Sequence, residues 1–105
     1  MNAPPFKSLR IIGKRVKVRW NQKLVGSWGE YHINKHTILL SQDAVGDQLR
    51  ETLLHEIIHA VSDQVDAELP ESKHRQISIG LYAAMRDNKG LAEFLFSGED
   101  EEPDE

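Results

Sequence analysis

His55, Glu56 and His59 stand in the pattern H-E-x-x-H, and these three residues are the ones in the chain best suited to chemistry. Residues four apart on a helix share a face, one turn from each other, so the two imidazoles can converge on one point. Imidazole nitrogen is a good ligand for zinc. Glu56 is turned roughly 100° from His55 about the helix axis, which aims its carboxylate at a water beside the metal and not at the metal itself. A carboxylate so placed takes a proton from that water and passes it to a leaving amine. Leu49, Leu53, Leu54, Ile57, Ile58, Ala60 and Val61 make the helix apolar nearly all round, the pattern of a buried core helix. Two histidines and a glutamate buried there are costly unless partnered, and a metal ion is the obvious partner.

Two histidines leave a catalytic zinc site one protein ligand short of the usual three. The chain has no cysteine, so the third ligand must be His, Asp or Glu. Glu71 and His74 lie one turn apart near the start of a second helical pattern. On spacing alone His74 is the better placed, nearer the centre of an apolar stripe, Ile77, Leu81 and Met85, expected to face the first helix. Asp63, Asp66 and Glu68 are weaker candidates. Asp63 falls one turn past His59, and the other two fall in a connection. His32 and His36 read as surface histidines of a hairpin sooner than as additional ligands.

The elements that must carry these residues are legible in outline. Leu9 to Ile12, a Gly13-Lys14 turn and the alternating run Val16 to Trp20 read as paired strands. Glu30 to Ile33 and Thr37 to Leu40 read as two more, joined as a hairpin through Asn34-Lys35-His36. The first long helix is expected from about Asp47 to Asp63 or Val65. The second starts near Pro70 or Glu71, proline being at home in a first turn, and ends near Asp87-Asn88-Lys89-Gly90, with Gly90 as the stop beyond its last turn. A short helical turn over 91–96 follows, whose aromatic residues are expected to cover the core. The fold class is α+β: a small, mostly antiparallel sheet packed on two helices. The organisation expected is a flexible lead over 1–8, a single domain over 9–96 and a disordered acidic tail over 97–105.

At this point the chain resembles a family. The basic strand meander, the run Thr52-Leu53-Leu54-His55-Glu56-Ile57-Ile58-His59-Ala60 and the second helix ending Gly80-Leu81-Tyr82-Ala83-Ala84-Met85-Arg86-Asp87-Asn88 resemble the small zincin-like metallopeptidases of phages and prophages. These are similar to minimal gluzincins and, more distantly, to the ImmA/IrrE-type peptidases. The resemblance spans roughly residues 9 to 90. It implies a glutamate as third ligand, because Glu71, Ile77, Ser78 and Leu81 fit the gluzincin register E-x-x-small-x-x-apolar-small-x-x-apolar, while His74 departs from it. It therefore implies zinc held by His55, His59 and Glu71, with His74 as the alternative third ligand or as a supporting group, and a phage or prophage protein of the host cytoplasm.

The function expected is hydrolysis of peptide bonds by a metal-activated water, with Glu56 as general base and an extended peptide or protein substrate pairing along the strand near Thr37 to Leu40 as a sheet edge. Two other classes fit the same residues: a zinc-stabilised accessory or binding protein without turnover, and a zinc hydrolase of a non-peptide bond. The absence of cysteine excludes disulfides, thiolate zinc and a cysteine nucleophile, and suits a reducing cytoplasm. No apolar run approaches a membrane span. Seven Lys and Arg and no acid precede Glu30. That pattern admits a nucleic-acid patch. The simpler reading, preferred on sequence alone, is the solvated face of an edge strand, where lysines discourage aggregation, so nucleic acid is not an expected partner. Oligomeric state is not written in the chain. The acidity belongs to the tail: without its six acids, thirteen bases face eleven acids.

Overall fold

Turn chemistry sets the first hairpin. The computed structural model describes residues 6–98. Strands β1 (Ser8–Ile11) and β2 (Lys14–Gln22) pair antiparallel, with Leu9 opposite Val16. Ile12 (φ 48°) and Gly13 (φ 80°) join them. A two-residue turn with positive φ at both positions matches the twist of the strands it connects, and glycine takes the second position without a steric penalty. Strands β3 (Gly29–His32) and β4 (Thr37–Ser41) form the second antiparallel hairpin, closed by a 3-10 turn at Ile33–Lys35 and a left-handed His36.

The sheet order is β1-β2-β4-β3, with β2 and β4 parallel. The sheet is thus mostly antiparallel, as expected. Its centre is β4 because β4 is the most apolar strand: Ile38 and Leu40 are fully buried beside Val16 and Val18. Two expectations change with this order. The strand around Thr37 to Leu40 is no substrate-accepting edge, since its backbone is paired on both sides; the edge beside the helices is β3. Nor is β2 an edge strand, so its lysines and arginines do not protect an edge.

Three helices follow: α1 (Gly46–Gln64), α2 (Glu71–Asp87) and the short α3 (Leu91–Leu95). Helix α1 lies on one face of the sheet. Leu49 and Ala60 join the buried core, and Leu53, Ile57 and Val61 pack against it. Helix α2 packs on α1 through a polar face. Its buried residues are His74 and Ser78, whereas Ile77, Ile79 and Leu81 are exposed. The expected apolar stripe therefore does not face α1. The two faces of α2 compete for one neighbour, and the one that reaches the histidines of α1 wins. Phe94 and Phe96, expected to cover the core, are about three-quarters exposed, at 76% and 75%. Helix α3 is turned away by a left-handed Gly90 (φ 86°).

Phe6, placed in the lead by sequence, packs against the core cluster. The rest of the lead that lies at 1–5, and the acidic stretch at 99–105, fall outside the described residues. Among the described residues no helix is long and apolar enough to cross a membrane.

Ile38 is wholly enclosed at the centre of the sheet. Its truncation, Ile38→Ala, is expected to destabilise the fold by about 2–5 kcal/mol, the loss of transfer energy plus the cavity left behind. Urea denaturation should show a lower midpoint with an unchanged slope.

Candidate metal centre

Helical spacing brings His55 and His59 together as the pattern demands: their Nε2 atoms are 3.2 Å apart. Glu71, the first residue of α2, completes the group. One carboxylate oxygen lies 3.0 Å from His55 Nε2 and the other 3.0 Å from His59 Nε2. Metal–nitrogen bonds of about 2.0–2.1 Å in a tetrahedron put neighbouring ligand atoms about 3.3 Å apart. The three donors stand close to that spacing, so His55, His59 and Glu71 form a group able to hold a metal ion.

The tautomer of His55 follows from its neighbours. Ser78 Oγ donates its proton to the carbonyl of Arg75 at 3.1 Å. The 3.2 Å contact between Ser78 Oγ and His55 Nδ1 then has to use a proton on Nδ1. A neutral imidazole protonated at Nδ1 carries its lone pair on Nε2, the atom aimed at Glu71 and His59. An anchor of this kind fixes ring orientation in metal-binding histidines. The hydrogen-bonding role of Ser78 was not read from the sequence. The signal available was a small polar residue one turn beyond His74 on the same face of α2.

His74 is buried at the floor of the group. Its ring lies 3.9 Å from that of His59 between centroids, and its Nε2 meets Ser62 Oγ at 3.0 Å. Its Nδ1 is buried without a hydrogen-bond partner among the described residues. Burial, then His74 beside it, pulls the pKa of His59 below its ordinary value, against the pull of the Glu71 carboxylate. The other sequence candidates are elsewhere. Asp63 accepts a hydrogen bond from Tyr31 Oη at 3.2 Å, which together with burial pushes the phenol up to about 12. Asp66 and Glu68 sit between the helices, outside the group. His32 pairs with Glu30 at 2.9 Å, and His36 closes the β3–β4 turn.

Glu56 is 5% exposed and lines the same cleft of about 300 Å³ as His55, His59 and Glu71. Its carboxyl is pushed up to about 8, first by burial and then by the charges of Glu71 and Glu30. What buries it is β3. The loop before that strand is tied to β4 by the Ser41 amide donating to the Trp28 carbonyl at 2.8 Å, and Gly29 then presses directly on α1. A Cβ at Gly29 would come 2.6 Å from the methyl of Thr52, 3.2 Å from the Leu39 carbonyl and 3.3 Å from Glu56 Cγ. Glycine is required here for space. No local pattern signals this demand, because the groups that impose it come from distant parts of the chain.

A family model described as the SprT-like family, a zincin-like group related to metallopeptidases, matches residues 6–85. The match takes in all four strands, α1 and nearly all of α2. No curated protein and no solved structure matches the chain.

Two outcomes are expected from this geometry. Gly29→Ala should cost about 1–3 kcal/mol as an overpacked site. Thr52→Ser, which deletes the nearest methyl, should recover part of that loss in the double variant. Full additivity of the two changes in thermal melts would show that Gly29 and Thr52 do not press on each other. The second outcome concerns pH. The folded-state pKa of Glu56 is raised from 4.5 to about 8. Its stabilising contribution in metal-free protein is therefore complete below about pH 4.5 and is lost as the pH rises to about 8. Urea denaturation in chelator should show wild type losing stability relative to Glu56→Gln across that window. Parallel curves would count against the raised pKa.

Proposed function

The chain belongs to the SprT-like family, and we propose that it is a zinc-dependent metallopeptidase that cleaves peptide bonds in an extended peptide or protein substrate. The observation that carries this reading is the Glu71 carboxylate spanning the Nε2 atoms of His55 and His59, with the Glu56 carboxylate buried in the same cleft. His55, His59 and Glu71 would hold the zinc. When bound, zinc is a Lewis acid that lowers the pKa of water toward neutrality. Every other task falls to residues of this chain. Ser78 keeps the Nε2 lone pair of His55 directed into the site. Glu56 takes the proton of the attacking water and hands it to the departing amine. A cation at His55 and His59 favours the ionised form of Glu56, the form a base requires. The outer edge of β3, over Gly29–His32, offers unpaired backbone groups along which an extended peptide can add as a further strand. The phage or prophage origin and cytoplasmic setting implied by the sequence resemblance belong to this reading as expectations.

A specific observation favours a second assignment of the third ligand. The Nδ1 of His74 is buried without a hydrogen-bond partner among the described residues, and its ring lies 3.9 Å from that of His59 between centroids. If Glu71 and His74 both coordinate, four protein ligands close the site, as in structural zinc centres, and the protein binds instead of cleaving.

Purified protein is expected to carry about one zinc per chain, lost in His55→Ala/His59→Ala. With Glu71 as ligand, chelator competition should show Glu71→Ala weakening zinc by one to several orders of magnitude and His74→Ala by roughly 10 to 100-fold or less. The reverse order assigns the ligand to His74, and equal large losses mark a closed site. Cleavage of a mixed peptide library should fall about 10²–10⁴-fold in Glu56→Gln with zinc retained. Equal cleavage by that variant would sink the peptidase mechanism.

A further inference from the structure

Among the described residues that line the metal cleft, Arg75 is the one Lys or Arg. It follows Glu71 by one turn of α2, and Ile79 follows it by another, so the three form a row along the cleft's α2 wall. Its place on that wall is fixed from below. The Arg75 carbonyl accepts the proton of Ser78 Oγ at 3.1 Å, and the same oxygen meets His55 Nδ1 at 3.2 Å. The side chain itself is mostly exposed, and a guanidinium stays charged at any ordinary pH. Its only ion pair among the described residues is with Glu71, Nη2 to Oε2 at 3.9 Å, which is beyond hydrogen-bond range. Both Glu71 oxygens are already turned to the histidines, at 3.0 Å from His55 Nε2 and 3.0 Å from His59 Nε2. A zinc ion held by this group would bring two positive charges against the one negative charge of Glu71, and Arg75 would then stand in the cleft without an anion of its own. Glu51 lines the same cleft from α1, but makes no ion pair with Arg75 among the described residues.

We propose that Arg75 is a specificity-determining residue, which recruits a carboxylate of the substrate peptide next to the bond that is cut. The inference rests on the peptidase reading given above. The planar fork of arginine matches the two oxygens of a carboxylate, and a charge-assisted pair of that kind gains strength in a concave site. An extended peptide advances about 3.3 Å per residue. A group held at a guanidinium 3.9 Å from Glu71 Oε2 therefore belongs to a residue at the cleaved bond or to the next one. A carboxyl terminus held there makes the protein a trimming enzyme that removes one or two residues. An acidic side chain held there makes it an endopeptidase that cuts beside Asp or Glu.

The test uses full-length, zinc-containing protein carrying Glu56→Gln, so that bound peptide is not turned over, and three rhodamine-labelled short peptides read by anisotropy. One is neutral with an amidated C-terminus, one has the same sequence with a free C-terminus, and one is amidated with a single central Glu. At least one of the two carboxylate peptides is expected to bind about 5-fold or more tightly than the neutral one. Preference for the free C-terminus identifies trimming, and preference for the Glu peptide identifies internal cleavage. Arg75→Gln should remove the preference with zinc content and melting temperature unchanged. Arg75→Lys, a cation without the fork, should keep part of it. Lys73→Gln, which removes an exposed cation of α2 outside the cleft, should leave it within about two-fold. Equal binding of the three peptides, or a preference that survives Arg75→Gln, overturns the proposal and leaves the peptidase reading standing. Loss of zinc in Arg75→Gln would make the arginine a positioning group for Glu71, and also overturns it. So does an equal fall in cleavage of all three peptides when Arg75→Gln is made with Glu56 intact, since that result assigns the guanidinium to the developing oxyanion. Zinc-containing protein that neither binds nor cleaves any peptide overturns both readings.

Discussion

The contact on which the rest of this structure depends is the one between the Glu71 carboxylate and the two imidazoles of α1. It sets the first residue of α2 against the middle of α1, with Glu71 sixteen residues beyond His55 in sequence. An anion gains at the first turn of a helix, where the backbone N–H groups are unpaired. Once Glu71 is held there, the rotation of α2 is set. His74 and Ser78 follow on the same face at helical spacing, and both become buried against α1. Ile77, Ile79 and Leu81 are then carried outward. The helix thus gives up apolar burial for a polar seam, an arrangement expected at a functional site sooner than in a core.

That seam is satisfied in layers. Ser78 spends its proton on the Arg75 carbonyl and receives one from His55, while Ser62 meets His74. Each bond restricts a ring, and the one to His55 leaves its Nε2 lone pair facing Glu71 and His59. The remaining orphan of the seam, among the described residues, is His74 Nδ1. A buried polar network with one unmade bond is a costly thing to keep unless something completes it.

Glu56 owes its environment to the other side of α1. The sheet approaches the helix at Gly29 closely enough to exclude any side chain, and the approach removes Glu56 from water. Burial of an ionisable carboxyl raises its pKa, and the neighbouring Glu71 and Glu30 raise it further. The same strand that dries Glu56 is the outer strand of the sheet among the described residues. Desolvated carboxyl and open edge therefore arise from one element, β3, which takes the outer position because β4 is the more apolar of the hairpin pair.

Local pattern was enough for much of this. Four strands, two long helices and their order follow from period-2 and period-3.6 runs and from turn residues, and each boundary falls within about two residues of the observed one. The convergence of His55 and His59 is likewise a property of helical spacing, and needs no knowledge of what packs nearby. Sequence could not decide which face of α2 meets α1, because Ile77, Leu81 and Met85 make as regular a stripe as Glu71, His74 and Ser78. Apolar periodicity favoured the stripe that the structure leaves outside. Strand order was also beyond reach: a hairpin is local, but placing β4 beside β2 depends on which strand the core can least afford to expose. That choice turned Thr37 to Leu40 from an edge into the centre and made Lys17 and Arg19 interior-strand residues with a bare charged face. The demand for glycine at position 29 exists only because Thr52, Leu39 and Glu56 converge there from three other points of the chain. Residue type and spacing determined what chemistry this protein carries; long-range packing decided which groups reach it, which are dried and which edge stays open.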